Sequence, residues 1–353
     1  MKKKIAILGS TGSIGQNTFD ILKKDKKNFE ITLLSTNRKF DKVIKQAKEL
    51  KVKNVIITDL NSFKKAKRKF RSSKIKIYKD FKNLNQIFRK KNDFIMSSIT
   101  GLMGLEPTLR SIKYTKKILI ANKESIICGW ELLKRNASKY KSKIIPIDSE
   151  HFSIMKLLEN HRLSEVKKIY ITASGGPFLN YKIHQLKKIK PEQAIKHPKW
   201  KMGKKISVDS ATLMNKILEL IEAQKLFLIP NNKLEIIIHP NSLVHAIIEL
   251  KNGLSKFLYH QTSMIIPLAN AIFEENLNIE KFYKIKNNKD NMINDLKFQK
   301  VNNTIFPIIK IKNRANEYTS TSIIINAANE ILVDQFLQKK IPFLSISKII
   351  MNI

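Results

Sequence analysis

The strand–turn–helix pattern at the N-terminus places the strongest constraint on how this chain can fold. Residues 5–8 form a short apolar run, GSTGSIG (residues 9–15) follows immediately, and a helical pattern begins near Thr18. Glycines let the backbone approach a pyrophosphate, and the start of a helix offers free N–H groups to it. The spacing differs from the usual G-x-G-x-x-G, so a ligand-free turn is the alternative. The flanking pattern favours a dinucleotide site.

Apolar runs alternate with helical patterns along the rest of the N-terminal third. The runs cover residues 29–34, 54–58, 74–78, 94–99, 118–121 and 143–147. This alternation predicts a Rossmann-like α/β domain with a doubly wound parallel sheet. The second run ends in Ser35-Thr36-Asn37-Arg38-Lys39, where an NAD enzyme would usually carry an acid. The two cations favour the 2′-phosphate of NADP(H), with ordinary surface cations as the alternative.

An acidic segment follows the run at 144–147. Two carboxylates at i, i+2 in the extended segment Asp148-Ser149-Glu150-His151 would point the same way and could bind one hard cation such as Mg²⁺ or Mn²⁺. His151 is a further ligand, a helix-start residue or a packing residue. A helix is predicted to begin near Ser210, with Asn215, Glu219 and Glu222 on one face and Lys216 beside them. That group suits an anionic substrate and a metal ion, whereas a solvated helix face is the alternative.

The middle of the chain predicts an α+β domain with an open sheet. Residues 169–173 form an apolar run, and Ser174-Gly175-Gly176 after it would form either an N–H-rich cup for a phosphate or a tight turn. Runs at 234–238, 242–250 and 254–260 complete the pattern, with a hairpin turn at 251–253. An edge or a face of this sheet could pair two subunits.

Composition bears on whether the chain binds nucleic acid or a membrane and on the compartment in which it works. The chain has 67 Lys and Arg against 29 Asp and Glu, but the excess is mainly Lys and is spread over all 353 residues. The densest run, KKAKRKFR (64–71), would form either a phosphate-binding patch or a solvated helix face. We favour the solvated face and expect no nucleic-acid partner. Cys128 is the only cysteine, and no apolar run approaches the ~18 residues of a membrane span. We therefore expect a cytoplasmic protein without membrane association.

Seven motifs together resemble the 1-deoxy-D-xylulose 5-phosphate reductoisomerase family over nearly the whole chain. They are GSTGSIG, ILIANKES, IPIDSEH, ASGGPF, HPKWKMGKKISVDSATLMNK, IHPNSLVHAII and NAANE. The resemblance implies an NADPH enzyme of isoprenoid precursor biosynthesis that uses Mg²⁺ or Mn²⁺, with Co²⁺ possible. It also implies a phosphorylated sugar substrate and a homodimer. The implied reaction rearranges 1-deoxy-D-xylulose 5-phosphate to an aldehyde and reduces it to 2-C-methyl-D-erythritol 4-phosphate.

The resemblance also implies roles for individual residues. The implied metal ligands are Asp148, Glu150 and Glu219. The implied catalytic and substrate contacts are Lys123, Ser149, Glu150, Ser174, His197, Ser210, Asn215, Lys216 and Glu219, with Trp200 and Met202 in a closing lid. The implied NADPH contacts are Thr11, Gly12, Ser13, Ile14, Asn37, Arg38, Lys39, Asn122, Glu124 and Gly203. A helix-start role is the alternative for Asn122.

The expected architecture has four parts. They are an NADPH domain at 1–147, a metal- and substrate-binding domain at 148–273 with a lid at about 194–204, a linker at 274–304, and a partial, shortened C-terminal helical domain at 305–353. The enzymatic alternative is another NADP(H) oxidoreductase, such as an aspartate-semialdehyde dehydrogenase, which would need a catalytic cysteine. Cys128 lies in a helical pattern without that setting. The non-enzymatic alternative, a basic nucleic-acid-binding protein, does not explain the acidic segment.

Overall fold

A computed structural model of the chain describes residues 2–200, 202–284, 296–315 and 317–353. The chain forms two compact units, the first made of 1–148 with 264–285 and the second of 149–263 with 286–353. Residues 285–295 of the expected linker and Lys201 of the expected lid lie outside the described residues. No helix among the described residues is both long and apolar enough to cross a membrane.

The first unit contains a seven-stranded parallel sheet in the order β4-β3-β2-β1-β5-β6-β7. The strands are β1 (Lys3–Leu8), β2 (Phe29–Thr36), β3 (Asn54–Ile57), β4 (Lys76–Tyr78), β5 (Asn92–Ser97), β6 (Thr115–Ile120) and β7 (Lys143–Pro146). Between them run α1 (Ser13–Lys24), α2 (Phe40–Glu49), α3 (Leu60–Lys69), α4 (Leu84–Ile87), α5 (Leu105–Ile112) and α6 (Lys123–Lys139). The predicted doubly wound α/β fold is confirmed.

Strand order reverses at β1, which lies between β2 and β5. Ligands of such sheets bind beyond the carboxyl ends of the strands at this point, and the glycine turn begins there. Gly9 has a φ of +83°, and a side chain on Gly15 would place its Cβ 2.2 Å from the Gly9 carbonyl oxygen. Glycine is therefore required where α1 approaches the turn.

The second unit contains a five-stranded mixed sheet in the order β11-β10-β8-β9-β12. Its strands are β8 (Val166–Ala173), β9 (Leu234–Ile238), β10 (Val244–Leu250), β11 (Ser255–Tyr259) and β12 (Gln299–Lys300). Strands β8 and β9 are parallel, and the other pairs are antiparallel. The predicted α+β domain with an open sheet is confirmed.

Helices pack against this mixed sheet. Helix α7 contacts β10 and β11, and α11 contacts β8. The helices from residue 149 onward are α7 (Ser149–Leu158), α8 (Ile183–Leu186), α9 (Pro191–Ala194), α10 (Lys204–Ala211), α11 (Met214–Phe227), α12 (Ile265–Phe273, in the first unit), α13 (Thr321–Leu337) and α14 (Phe343–Asn352). Short 3-10 turns occur at Leu102–Gly104, Gly176–Phe178, Asn231–Lys233, Glu274–Asn276, Ile279–Lys281 and Pro307–Asn313.

Two local predictions are wrong. The acidic segment is not extended, because α7 begins at Ser149 and places Glu150 in its first turn. The helix expected from Ser210 is two helices, because Leu213 adopts a left-handed conformation (φ +62°) between α10 and α11. The interpretation of residues 64–71 as a solvated helix face agrees with α3, of which Ala66 is the one buried residue within the described chain.

Candidate active site

Three carboxylates, which we call the acidic cluster, lie close together near the start of α7. Glu150 belongs to the first turn of α7 and Glu219 to the middle of α11, and their exposed fractions are 9% and 1%. Asp148 is joined to Glu150 through a single intervening residue. One carboxylate oxygen from each of the three residues lies within 4.8 Å of the others. Hard oxygen donors in this number fit a divalent cation such as Mg²⁺ or Mn²⁺.

Positive and amide donors surround the buried carboxylates. The Lys216 ammonium donates to Glu150 Oε1 and to Glu219 Oε2, both at 2.6 Å. The Asn215 amide donates to the other oxygen of Glu219, and the Ser149 hydroxyl donates to Glu150 Oε2 at 2.6 Å. Burying charge is costly unless the charge is paired and hydrogen-bonded, and these contacts supply both conditions. The polar face of α11 is therefore buried, and the interpretation of it as a solvated face is wrong.

Lys123 and His151 each make one contact that helps define their roles. In the first unit, the Lys123 ammonium pairs with the Asp148 carboxylate. In the second unit, His151 is fully buried, and its Nε2 donates to the backbone carbonyl of Glu219 at 2.7 Å. This bond fastens α7 to α11, so that nitrogen serves packing rather than metal ligation.

A serine–histidine pair, Ser174 and His197, lies beyond the end of β8. The backbone N–H groups of Trp200 and Lys199 donate to His197 Nδ1 at 2.9 and 3.1 Å. Since Nδ1 accepts these bonds, the ring proton resides on Nε2, which donates to Ser174 Oγ at 2.9 Å. The backbone N–H of Gly176 donates to the same hydroxyl oxygen at 3.1 Å.

The end of α10 packs closely against the turn after β8. A Cβ built on Gly176 would lie 2.8 Å from the Ser210 carbonyl oxygen, and Gly176 itself has a φ of +63°. Asn215 and Lys216 occupy the first turn of α11, directly after the left-handed Leu213. Helix starts attract anions, and a buried ammonium strengthens that attraction. Serine hydroxyls, an amide and an ammonium together suit a phosphate.

His197 is held in its neutral form. Burial, and to a lesser degree the positive charge of Lys216, lowers the pKa of His197 from 6.5 to about 4. A neutral imidazole with Nδ1 occupied by backbone donors can still donate from Nε2 at neutral pH. His197 therefore supplies a hydrogen bond without adding charge.

The expected cofactor residues of the first unit gather at the carboxyl ends of β1 and β2. Gly12 precedes α1, and Thr11 Oγ1 lies 2.7 Å from Thr36 Oγ1 at the end of β2. In the neighbouring loop, the Asn37 amide donates to Thr58 Oγ1 at 2.9 Å, and the side chain of Arg38 is 81% exposed. The glycine turn and an exposed cation thus lie on the same edge of the sheet, as the binding of a pyrophosphate and a 2′-phosphate would require.

The remaining expected cofactor residues lie at helix starts. Asn122 caps α6, because its Oδ1 accepts from the Ser125 backbone N–H at 2.6 Å, so its helix-start role is confirmed. Glu124 belongs to the first turn of α6. Gly203 precedes α10 in the second unit, whereas the other expected cofactor residues belong to the first.

The expected lid contains one aromatic contact that the sequence did not predict. The Trp200 ring packs edge-to-face on His245 of β10, with centroids 6.1 Å apart, and His245 stacks on His260 at 3.8 Å. Met202 is half-buried. His245 lies within the motif IHPNSLVHAII, and that motif was the available sequence signal.

Comparison with known proteins gives one consistent family. Three family models match the chain: 1-deoxy-D-xylulose 5-phosphate reductoisomerase over residues 5–129, the C-terminal domain of that enzyme over 144–227, and the DXP reductoisomerase C-terminal domain over 260–353. The chain is 50% identical to the 1-deoxy-D-xylulose 5-phosphate reductoisomerase of Pelagibacter ubique, over 99% of this chain and 90% of that protein.

Solved structures of the same enzyme are similar in fold. The Zymomonas mobilis enzyme in complex with NADPH matches with a TM-score of 0.87 and 31% identity, covering 100% of this chain and 91% of that one. A DOX-P reductoisomerase in complex with NADPH, fosmidomycin and magnesium matches with a TM-score of 0.90 and 32% identity, covering 99% and 88%.

The lowered pKa of His197 predicts a pH-dependent contribution to stability. Because the folded pKa of about 4 lies below the usual 6.5, the unfolded chain binds the proton more tightly. The contribution of neutral His197 to the free energy of unfolding is full above pH 6.5 and is lost as the pH falls towards 4.

We expect unfolding free energies of the wild type to decrease more over this range than those of His197→Gln. In ¹H NMR, the His197 resonance should titrate near pH 4, and titration near 6.5 would contradict the buried neutral state.

Proposed function

Because the chain belongs to the 1-deoxy-D-xylulose 5-phosphate reductoisomerase family, we propose that the acidic cluster and the serine–histidine pair form its active centre. The enzyme is an NADPH- and divalent-metal-dependent oxidoreductase. It converts 1-deoxy-D-xylulose 5-phosphate to 2-C-methyl-D-erythritol 4-phosphate in isoprenoid precursor biosynthesis. The observation that supports the placement of its centre is the approach of three carboxylates beside Lys216.

The acidic cluster would hold the divalent metal, Mg²⁺ or Mn²⁺, with Co²⁺ as a further candidate. When bound, such an ion supplies Lewis-acid polarisation of the substrate's carbonyl and hydroxyl oxygens. Lys123, paired with Asp148, and Glu150, hydrogen-bonded to Ser149, are the groups within this centre that can hold or move a proton. The ammonium groups of Lys123 and Lys216 balance the charge of the carboxylates that would hold the ion.

The phosphate of the substrate would bind where α10 ends and α11 begins. Ser174, Ser210, Asn215 and Lys216 supply hydroxyl, amide and ammonium donors there, and His197 orients the Ser174 hydroxyl through its Nε2–H. Binding a phosphate away from the reacting carbons provides energy that holds those carbons in place. The segment at 194–204, with Trp200 and Met202, would close over the substrate and exclude water.

The metal assignment predicts different outcomes for two buried glutamates of α11. Glu219→Gln removes a charged ligand, so we expect kcat/KM for NADPH oxidation with 1-deoxy-D-xylulose 5-phosphate and Mg²⁺ to fall by at least about 100-fold. Glu222→Gln is the matched control, because Glu222 is also buried on α11 but does not belong to the acidic cluster. Its Oε2 atom lies 3.8 Å from His151 Nδ1.

Excess chelator should abolish turnover by the wild type. Mg²⁺ binding measured by calorimetry should weaken in Glu219→Gln and not in Glu222→Gln. Equal activity of the two variants would refute the metal assignment, and absence of turnover by a folded wild type would refute the function.

NADPH would bind to the first unit. We propose that Thr11, Gly12, Ser13 and Ile14 receive the pyrophosphate and that Asn37, Arg38 and Lys39 receive the 2′-phosphate, with Asn122, Glu124 and Gly203 as further contacts. Support comes from the turn at the carboxyl end of β1 and from the neighbouring exposed cation. Residues 1–147 would then be the cofactor domain, 148–273 the catalytic domain, and 305–353 a helical domain joined by the linker at 274–304.

Removing the exposed cation tests the assignment of the 2′-phosphate. Arg38→Ala should raise KM for NADPH about 10-fold, since one charge-assisted bond to phosphate is lost, and leave KM for NADH unchanged. Arg68→Ala, an exposed arginine of α3, is the control. Equal effects on both nucleotides would count against a 2′-phosphate contact.

The face of the mixed sheet that carries Ile247 is our candidate for homodimer formation. Ile247 of β10 pairs with Tyr170 on one side and with Phe257, which is 48% exposed, on the other. Charges of both signs accompany them, including the Lys168–Glu235 pair at 3.2 Å. A surface with apolar and mixed-sign groups can be self-complementary about a two-fold axis.

Sedimentation velocity tests the dimer directly. The wild type should sediment at twice the 40.9 kDa mass of the chain, and Phe257→Lys should shift it towards the monomer. Leu60→Lys replaces an apolar side chain of similar exposure, 57%, in the first unit and should leave the dimer intact. A monomeric wild type would contradict the proposal.

A cytoplasmic location is also a proposal. It is supported by the sequence, in which Cys128 is the only cysteine, so that the chain can form no internal disulfide. Fractionation of the producing cells would test it, and recovery outside the cytoplasm would contradict it.

A further inference from the structure

The motif NAANE belongs to α13, and one of its side chains reaches α10. Asn329 is fully buried, and its Nδ2 donates to Asp209 Oδ1 at 2.8 Å. The other oxygen of that carboxylate accepts from Lys205 Nζ at 3.0 Å. Asp209 has an exposed fraction of 2%, so its charge is stabilised by these partners rather than by bulk water.

The direction of the Asn329 amide is fixed by this contact. A carboxylate only accepts hydrogen bonds, so the amide nitrogen and not the amide oxygen must face Asp209. Leaving a buried carboxylate oxygen without its donor is expensive, and placing a second carboxylate against it is more so. The pair therefore requires one carboxylate and one amide, with the amide nitrogen facing the carboxylate.

The place of α10 determines the place of Ser210. Asp209 immediately precedes Ser210, α10 ends at Ala211, and the left-handed Leu213 leads into Asn215 and Lys216. The turn after β8 also packs against the end of α10, so closely that a side chain at Gly176 would clash with the Ser210 backbone. A displacement of α10 would therefore change the position of Ser210 relative to Ser174.

We propose that Asn329 and Asp209 form a positioning pair through which α13 holds the phosphate-binding end of α10 in place. Neither residue contacts the substrate in this account; both act through Ser210 and the turn that follows it. The inference rests on the proposed phosphate role of Ser210, Asn215 and Lys216. It gives the NAANE motif a function at a site to which the motif contributes no ligand.

Exchanging the two side chains tests the pair. Asn329→Asp sets two carboxylates against each other and should raise KM for 1-deoxy-D-xylulose 5-phosphate at least about 10-fold, with kcat changed less than about 3-fold. In the double variant Asp209→Asn with Asn329→Asp, the new amide at 209 can donate to residue 329 and still accept from Lys205. We expect KM to return to within about 3-fold of the wild type.

Three controls separate positioning from general damage. NADPH dissociation constants should change much less than KM for the sugar phosphate, because all the proposed cofactor residues except Gly203 lie in the first unit. Glu330→Gln, the exposed neighbour in the same motif, should leave KM unchanged. If Asn329→Asp does not fold, Asn329→Ala takes its place and should raise KM by about 3- to 10-fold.

Inorganic phosphate provides a readout that does not depend on turnover. The thermal stabilisation produced by phosphate should be weaker in Asn329→Asp and restored in the exchanged double variant. An inactive wild type would refute the proposed function alone, since this binding test would still report on the pair. Unchanged KM and phosphate stabilisation in Asn329→Asp, or no recovery in the double variant, would overturn the positioning pair.

Discussion

The ammonium of Lys216, buried between the carboxylates of Glu150 and Glu219, is the interaction on which the candidate site depends. Both contacts measure 2.6 Å, and the Lys216 residue has an exposed fraction of 8%. Removing one partner of such a group costs roughly 3–5 kcal/mol, because a buried charge is left unpaired. The same contacts join α7 to α11 and place the cation beside a helix start. One arrangement thus pairs the buried charges and also places acids beside a cation, as the proposed chemistry requires.

Two irregular backbone positions make this arrangement possible. Leu213 adopts a left-handed conformation, which is unfavourable for a residue with a side chain and is found where the surroundings impose it. It allows the chain to end α10 at Ala211 and restart as α11 at Met214, which places Asn215 and Lys216 in the first turn of a helix. Gly176 permits the turn after β8 to approach the end of α10. The serine–histidine pair is thereby set against the same region.

Charge is distributed unevenly between the surface and the site. The net charge of +38 provides a general attraction for a sugar phosphate and for NADPH, both of which are anions. Against this background, the buried carboxylates form a local negative centre that suits a divalent cation. His197, with its pKa lowered to about 4, adds a donor without adding charge. These features fit the family chemistry: attraction acts at long range, whereas geometry and protonation act within the site.

The sequence predicted the doubly wound sheet, the mixed sheet and the family, because alternating apolar runs and contiguous motifs are local properties of the chain. It also supplied the acids that the structure brings together. It did not predict that α7 begins at Ser149 or that α11 is separate from α10, since these boundaries depend on buried contacts such as His151 with the Glu219 carbonyl. The link between Asn329 and Asp209 spans 120 residues, and only the tertiary structure could reveal it. Partners distant in sequence are chosen by packing, and no local pattern encodes that choice.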